Sequence, residues 1–359
     1  MMHPGSPKAP VWIASVATAS PESVLTQPEA AEILAAAYGR RLRPRSLQVL
    51  RRVFAHPSVR RRGFVYCRPE DLIDEDLDRR VERFTRGAVG LGVHAARRAL
   101  EAAEVAPSAV ATLVVNTCTG YVCPGLSNYV AEALGLRPDL RAYDLVGSGC
   151  GGAVPNLELA AGSLADGGSV ALSISVEVCS ATFQMGDDLS LIISNALFAD
   201  GAAAAVLRPK APGLRIIDSA SLHLPQDREA CRFIHRGGQL HNQLAKDLPE
   251  RVASAVGRLV PALLDRNGLR TADIGHWVVH PGGDKVLGSV AAALGLSDTD
   301  LRDSYEVLRE YGNLSSPTVW FVLRRALDAG LRPGEFLLML GYGAGMSAHA
   351  CLLEAEQVT

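Results

Sequence analysis

Apolar residues recur along this chain in two rhythms. Short runs with little polar interruption, such as 112–116 and 169–177, have the length and composition of buried strands. Longer stretches with apolar positions three and four apart, such as 85–105 and 249–267, have the spacing of helices. Taken in order, the first half reads as a strand at 11–16, a helix at 20–38, an exposed charged segment at 71–83 and the helix at 85–105. A strand at 112–116, a loop at 117–126 and a helix at 127–134 follow. Then come a strand at 142–146, a turn, a helix at 156–165, the strand at 169–177, an irregular stretch at 180–193 and a strand at 202–207. KAPG at 210–213 marks a boundary. Beyond it lie a strand at 215–220, polar residues 226–244 with the pattern of a loop, the helix at 249–267 and a strand at 274–280. A helix at 285–294, a turn at 308–316, a helix at 317–329 and strands at 336–341 and 348–354 complete the chain.

The halves repeat one pattern. In the first, a helix, SAVATLVVNT, a glycine-bearing loop and a helix lead to a turn around Cys150; in the second, a helix, TADIGHWVVHP, a Gly-Gly loop and a helix lead to YGNLSS. Each half then gives a helix and an apolar strand. This predicts an α/β protein of two duplicated units, 1–210 and 211–359, with largely parallel sheets covered on both faces. Residues 169–177 are expected to lie buried in mid-sheet.

With 48% hydrophobic residues among 359, the chain can bury one large core or two fused ones. A net charge of −2 gives no global pull towards nucleic acid or a membrane surface. Seven cysteines are spread singly, with no CxxC or Cys/His cluster of the zinc-binding kind, and their odd number fits a reducing cytosol. The N-terminal stretch has no leader design, and no apolar run reaches membrane-spanning length. Arg40, Arg41, Arg43, Arg45, Arg51, Arg52, Arg60, Arg61 and Arg62 occur with no acidic residue among them. Such a run is either a solvated face or a clamp for the phosphates of a small ligand, because guanidinium forks match phosphate oxygens. No aromatic interleaving supports a nucleic-acid surface.

Candidate chemistry begins at DLVGSGCGGAVPNL, residues 144–157, where Cys150 sits among Gly147, Gly149, Gly151 and Gly152 at a strand-to-helix turn. Glycines permit a sharp turn and close approach of a substrate. The positive end of the following helix favours thiolate. A buried structural cysteine is the plain alternative. His280 closes an apolar strand ahead of PGG, and Asn313 follows Tyr311 and Gly312 ahead of a helix. Alone, His280 reads equally as a satisfied core imidazole and Asn313 as a residue at a helix start. Sites in such sheets form at strand C-termini, so the duplication would turn all three towards one cleft.

The chain resembles type III polyketide synthases, the chalcone-synthase-like branch of the thiolase superfamily. The matching segments are CTGYVCPG (118–125), GSGCGGA (147–153), ALFADGAAA (196–204), HPGG (280–283), YGNLSS (311–316) and GYGAG (341–345), in family order over nearly the whole chain. The resemblance implies a thiolase-like fold of five αβαβα layers and a cytoplasmic homodimer. It implies that Cys150 attacks an acyl-CoA thioester and carries the acyl chain, with His280 helping to keep the sulfur as thiolate. Malonyl-CoA then loses CO₂, and His280 Nε2 and the Asn313 amide hold the resulting enolate. No metal or redox cofactor is implied; the partners are an acyl-CoA starter, malonyl-CoA and a second copy of the chain. Extension repeats, ending in cyclisation or release as a pyrone, resorcinol or related product.

By the same resemblance, Phe198 corresponds to a gatekeeper between a CoA tunnel and the substrate cavity, and a second gatekeeper falls near Asn242. Cys118 and Cys179 correspond to cavity-lining positions, with Thr119, Ser315 and Tyr342 assigned to the same cavity. Cys123 corresponds to a residue that crosses the dimer interface. Arg51, Arg52, Arg60, Arg61 and Arg62 lie where the family has basic residues for CoA phosphates. Two residues depart from the family pattern: Ala344 stands where proline is usual, and Ala199 where glycine is usual. Small side chains at Cys118 and Cys179 leave room for a long or bulky chain. The main rival is a single-condensation ketoacyl synthase fed by acyl carrier protein, but HPGG and GNLSS favour the polyketide branch. A catalytically silent thiolase-fold partner would usually lack the nucleophile, which this chain has.

Overall fold

Local sequence sets most element boundaries in the computed structural model, which describes residues 10–66, 68–165 and 169–356. Residues 1–9, where the stretch without a leader design begins, lie outside the described residues, as does Cys67. The first half contains β1 (Val11–Ala19), β2 (Val24–Thr26), α1 (Gln27–Tyr38), α2 (Pro44–Phe54), β3 (Arg61–Gly63), α3 (Leu77–Ala102) and β4 (Thr112–Thr117). It continues with α4 (Leu126–Leu134), β5 (Arg141–Val146), α5 (Ala153–Ala165), β6 (Ala171–Val178), α6 (Leu189–Leu197) and β7 (Asp200–Arg208). The second half contains β8 (Gly213–His223), β9 (Cys231–Arg236), β10 (Gln239–Leu244), α7 (Leu248–Arg266) and β11 (Ile274–Val279). It ends with α8 (Asp284–Leu294), α9 (Arg302–Tyr311), α10 (Thr318–Asp328), β12 (Phe336–Gly343) and β13 (Ser347–Glu356).

Helix α1 begins at Gln27, not residue 20, because Thr26 caps it. The Thr26 hydroxyl accepts from the Glu29 amide at 3.4 Å, and the Glu29 carboxylate accepts from the Thr26 amide at 2.8 Å. Residues 24–26 extend instead as β2 against β3. Helix α6 emerges from the stretch read as irregular, capped by Asp188, which accepts from the Ser190 amide at 2.8 Å. Residues 226–244 form the hairpin β9–β10 instead of a loop. Gly237 and Gly238, with φ of 56° and 74°, make its turn. Its residues are mostly half-buried, which leaves little hydrophobic alternation to read.

Nine strands join in the order β11-β12-β13-β8-β1-β7-β6-β4-β5. This order displays the duplication. The run β4-β6-β7-β1 corresponds to β11-β12-β13-β8, and corresponding neighbours run in the same relative direction. The halves meet where β1 pairs with β8 from Val11 to Ile13. The sheet is mixed, not largely parallel: only β4–β5, β4–β6 and β11–β12 are parallel. Residues 344–346, which link β12 to β13, are too few for the crossover a parallel pair needs.

Five layers result. Helices α3 and α4 cover the first-half strands, α5 and α10 lie between the two sets of strands, and α7 and α8 cover the second set. Strand β6 is buried along its whole length, as expected for mid-sheet. Strand β5, which leads into the Cys150 turn, ends the sheet with five of its six residues exposed.

Candidate active site

Cys150 lies in a tight helical turn, Gly149–Gly152, between β5 and α5. This turn packs on the β12–β13 connection so closely that side chains are excluded. Gly149 has φ +55°, and a Cβ there would sit 2.8 Å from the Ala344 Cβ. A Cβ on Gly343 would sit 2.4 Å from the Gly151 nitrogen. The backbone around the sulfur is therefore held between the two halves of the chain.

Asn313 brings the second half to the sulfur. Its N–H donates to the Leu197 carbonyl at 2.8 Å, and the Ala199 N–H donates to the Asn313 carbonyl at 2.9 Å. Its Oδ1 accepts from the Ser315 N–H at 2.7 Å, which leaves Nδ2 to donate to the Gly282 carbonyl at 3.4 Å. Ser315, held at φ +60°, donates its hydroxyl to Glu177 Oε1 at 3.4 Å and lies 3.4 Å from the Cys118 sulfur. His280 follows β11 and is fully buried, its ring edge-on to Tyr342 with 5.3 Å between centroids. The Tyr342 hydroxyl donates to the His280 carbonyl at 2.5 Å. Neither ring nitrogen of His280 has a hydrogen-bond partner among the described residues. Asn313 thus reaches the turn just after His280, and its side chain is near enough to the Cys150 sulfur to lower its pKa.

Burial governs the two titratable members. It pushes the Cys150 thiol up to about 12, with Ser315 and Asn313 pulling it back, and pushes the His280 imidazole down to about 3. Burial thus works against the charged form of each group taken alone, and against the pull of the helix terminus on the sulfur.

Cys150 opens on a chamber of about 40 Å³ whose wall includes Cys118, Thr119, Cys179, Phe198 and Ser315. Asn242 lines it as well, with Cys231 and Phe233. The last two belong to the hairpin that the sequence reads as loop; the Gly-Gly pair inside it was the available signal. One residue assigned to the cavity lies elsewhere: Tyr342 backs His280. Cys123 is exposed on the loop after β4. A second chamber of about 440 Å³ shares Cys118, Thr119 and Thr182 with the first.

Glu177 is a further site residue that pattern alone did not mark. It is fully buried, and its Oε2 accepts from the Cys118 and Thr119 amides at 2.9 and 3.1 Å. Its Oε1 accepts from the Ser316 hydroxyl at 2.7 Å, so one carboxyl ties the loop after β4 to the segment after Asn313. Burial pushes this carboxyl's pKa up against the pull of those hydrogen bonds.

The basic run divides. Arg51 and Arg52 are exposed in the last turn of α2, which packs on α6. Arg60 and Arg61 are exposed and both pair with Glu310, at 2.7 and 3.0 Å. Arg62 departs from the phosphate-binding expectation, being 2% exposed. Its guanidinium donates to Gln27 Oε1 at 3.0 Å and to the carbonyls of Asn195 and Phe198 at 2.7 and 2.6 Å. A group so enclosed cannot reach a CoA phosphate.

Residues 217–356 match the family model described as chalcone and stilbene synthases, C-terminal domain, and residues 18–215 match FAE1/type III polyketide synthase-like protein. A 3,5-dihydroxyphenylacetyl-CoA synthase of Amycolatopsis balhimycina is 33% identical over 316 residues, 85% of each chain. The alpha-pyrone synthesis polyketide synthase-like Pks18 of Mycobacterium tuberculosis is 30% identical over 341 residues, 90% of this chain and 85% of that one. The crystal structure of 1,3,6,8-tetrahydroxynaphthalene synthase from Streptomyces coelicolor superposes with a TM-score of 0.89 at 25% identity, covering 97% of this chain and 100% of that one. PKS-I from the brown alga Ectocarpus siliculosus gives 0.88 at 27% identity, covering 97% and 98%.

Proposed function

The chain belongs to the chalcone and stilbene synthase family of type III polyketide synthases, and from that premise we propose how its own residues divide the work. The activity is iterative decarboxylative condensation of malonyl units onto an acyl starter, a CoA-dependent acyl transfer. Cys150 takes the starter. Its sulfur attacks the thioester carbonyl, the bond from that carbonyl to the CoA sulfur breaks, and CoA leaves as the thiol. Burial disfavours either charge alone, so the sulfur becomes nucleophilic as its proton passes to His280. The resulting pair carries no net charge, which limits the cost of forming it in a buried site.

In extension, malonyl-CoA loses CO₂ and the electron pair of the broken bond moves onto the thioester oxygen as an enolate. His280 Nε2 and Asn313 Nδ2 donate to that oxygen, one such donor being worth about 3 kcal/mol. The enolate carbon then attacks the acyl group on Cys150 and displaces the sulfur. The electrons come from the malonyl carboxylate, so the chemistry calls for no metal or redox cofactor. The observation carrying this reading is the Asn313 amide, whose Nδ2 is free of Ser315 and donates to the turn after His280, with the side chain near enough to the Cys150 sulfur to lower its pKa.

Arg51 and Arg52, with Arg60 and Arg61, are the proposed contacts for CoA phosphates. Support comes from their placement beside α6 and α9, which lead directly into Phe198 and Asn313. A homodimer is proposed through β5, an exposed edge beside the 78%-exposed Tyr121 and the exposed Cys123. The free cysteines suit a cytoplasmic enzyme. Among the described residues no helix is long and apolar enough to cross a membrane. The test is a panel of starter-CoAs with radiolabelled malonyl-CoA, read by mass analysis, on wild type and Cys150→Ala. Cys150→Ala loses acyl loading and all product; retained product would reassign the nucleophile.

A further inference from the structure

Arg62 is built into the site from beneath. Its guanidinium lies between the rings of Phe54 and Phe64, 5.5 and 4.9 Å from their centroids. Nη1 donates to the Asn195 and Phe198 carbonyls, and Nε to Gln27 Oε1, while Gln27 Nε2 donates to the Ala196 carbonyl at 2.8 Å. Arg62 and Gln27 therefore satisfy carbonyls at the C-terminal end of α6, which lack partners within the helix and favour a cation. The residues at this point, Leu197 and Ala199, are the ones whose backbone clasps Asn313. The Arg62 stem fills the other side: a Cβ on Gly312 would meet Arg62 Cγ at 2.7 Å and Cδ at 2.8 Å. One buried side chain thus touches both the segment carrying Phe198 and the residue preceding Asn313.

We infer that Arg62 is a positioning residue for the Asn313 carboxamide, fixing the 195–199 segment on which Asn313 is mounted and so the placement of Nδ2 against the Cys150 sulfur. The inference rests on Asn313 being an enolate donor. Arg62 itself touches neither substrate nor a reacting atom. Lysine would keep the charge but not the planar fork that stacks between two rings while spanning two carbonyls.

The experiment separates two half-reactions, acyl loading of Cys150 and malonyl-CoA decarboxylation. Rates are expressed per iodoacetamide-titratable Cys150, so that misfolded chain does not count. Arg62→Lys is expected to slow decarboxylation at least about tenfold and loading less than about twofold, because an ångström of misplacement damages a positioned donor most. On an Asn313→Ala background it is expected to add less than about twofold, since the two residues act as one unit. Gln27→Met retains Arg62 and removes its Nε acceptor; it gives the same pattern at smaller amplitude and decides the question if Arg62→Lys does not fold. Parallel loss of both half-reactions, a full-sized loss on the Asn313→Ala background, or unchanged decarboxylation in Gln27→Met with Arg62→Lys unfolded overturns the inference. Wild-type decarboxylation by Asn313→Ala alone is a separate failure, that of the enolate reading, and is visible without any Arg62 variant.

Discussion

The Ser315 N–H donates to Asn313 Oδ1 at 2.7 Å, and this bond decides which end of the carboxamide faces the Cys150 sulfur. With Oδ1 occupied by a backbone donor, only Nδ2 is available to a developing negative charge. Asn313→Asp keeps the shape and replaces that donor by an acceptor. It is expected to cut malonyl-CoA decarboxylation by about 10²- to 10³-fold, the usual loss for one oxyanion donor. Decarboxylation followed by CO₂ release checks this, and a near-wild-type rate would remove Asn313 from the enolate site.

His280 carries the second prediction. In the proposed mechanism its buried imidazole, without a ring hydrogen bond among the described residues, accepts the Cys150 proton. Removing it leaves a thiol pushed up to about 12. In His280→Gln the rate of iodoacetamide alkylation at Cys150 is expected to rise about tenfold per pH unit across the neutral range, as for any unassisted thiol below its pKa. Wild type is expected to react faster at pH 7 and to depend less on pH. Identical profiles would show that the imidazole does not take the proton.

Part of this site was legible in the sequence, for a physical reason. Duplication places Cys150 ahead of α5 and Asn313 ahead of the corresponding α10, and a run of apolar residues is enough to mark β6 as buried. Position within the arginine run was not legible. Arg61 and Arg62 are neighbours of one type, yet alternation along β3 turns Arg61 outward to Glu310 and Arg62 inward between Phe54 and Phe64. Glu177 was equally hidden, since its six donors come from segments far apart in sequence. The upward push on the Cys150 thiol comes from burial, which no motif reports.

Arg51 and Arg52 give a prediction that separates binding from chemistry. Both are exposed, whereas Arg60 and Arg61 are already paired with Glu310. Arg51→Gln with Arg52→Gln is expected to raise KM for CoA thioesters by about three- to tenfold with kcat little changed, as for loss of binding made equally in ground and transition states. N-acetylcysteamine thioesters, which lack the phosphates, should show no change. An equal effect on both substrates would mean the arginines act on fold and not on phosphate.

Strand β5 offers a prediction about assembly. It is the exposed end of the nine-stranded sheet, and Tyr143 and Val146 on it are 40% and 59% exposed. Tyr143→Glu introduces a charge on that edge without touching the core. Sedimentation equilibrium is expected to show a dimer for wild type and at least about tenfold weaker association for the variant, as when a buried interface aromatic is lost. An unchanged dimer would move the interface elsewhere.

The last prediction concerns acid stability, and its sign follows from burial. His349 lies behind the nucleophile turn, where a Cβ on Gly151 would come within 3.1 Å of its Cδ2. Its Nδ1 is 2.7 Å from the Ser221 hydroxyl, the His223 ring is 5.2 Å away, and Nε2 has no partner among the described residues. Burial, helped by His223, pushes its pKa down from 6.5 to about 3. Between those values the unfolded chain binds a proton that the folded chain refuses. The stability involved is therefore fully present above pH 6.5 and is lost as pH falls, at about 1.4 kcal/mol per unit. His280 acts in the same direction, while the raised carboxyls of Glu177 and Asp200 act in the opposite one, so wild type alone does not isolate the effect. The difference between wild type and His349→Gln does. Urea unfolding from pH 7 to 5 is expected to show wild type losing about 2 kcal/mol relative to the variant, most of it below pH 6.5. Parallel curves would mean that His349 protonates in the folded protein as readily as in the unfolded one, and that its surroundings behind Cys150 are wetter than the packing around Gly151 implies.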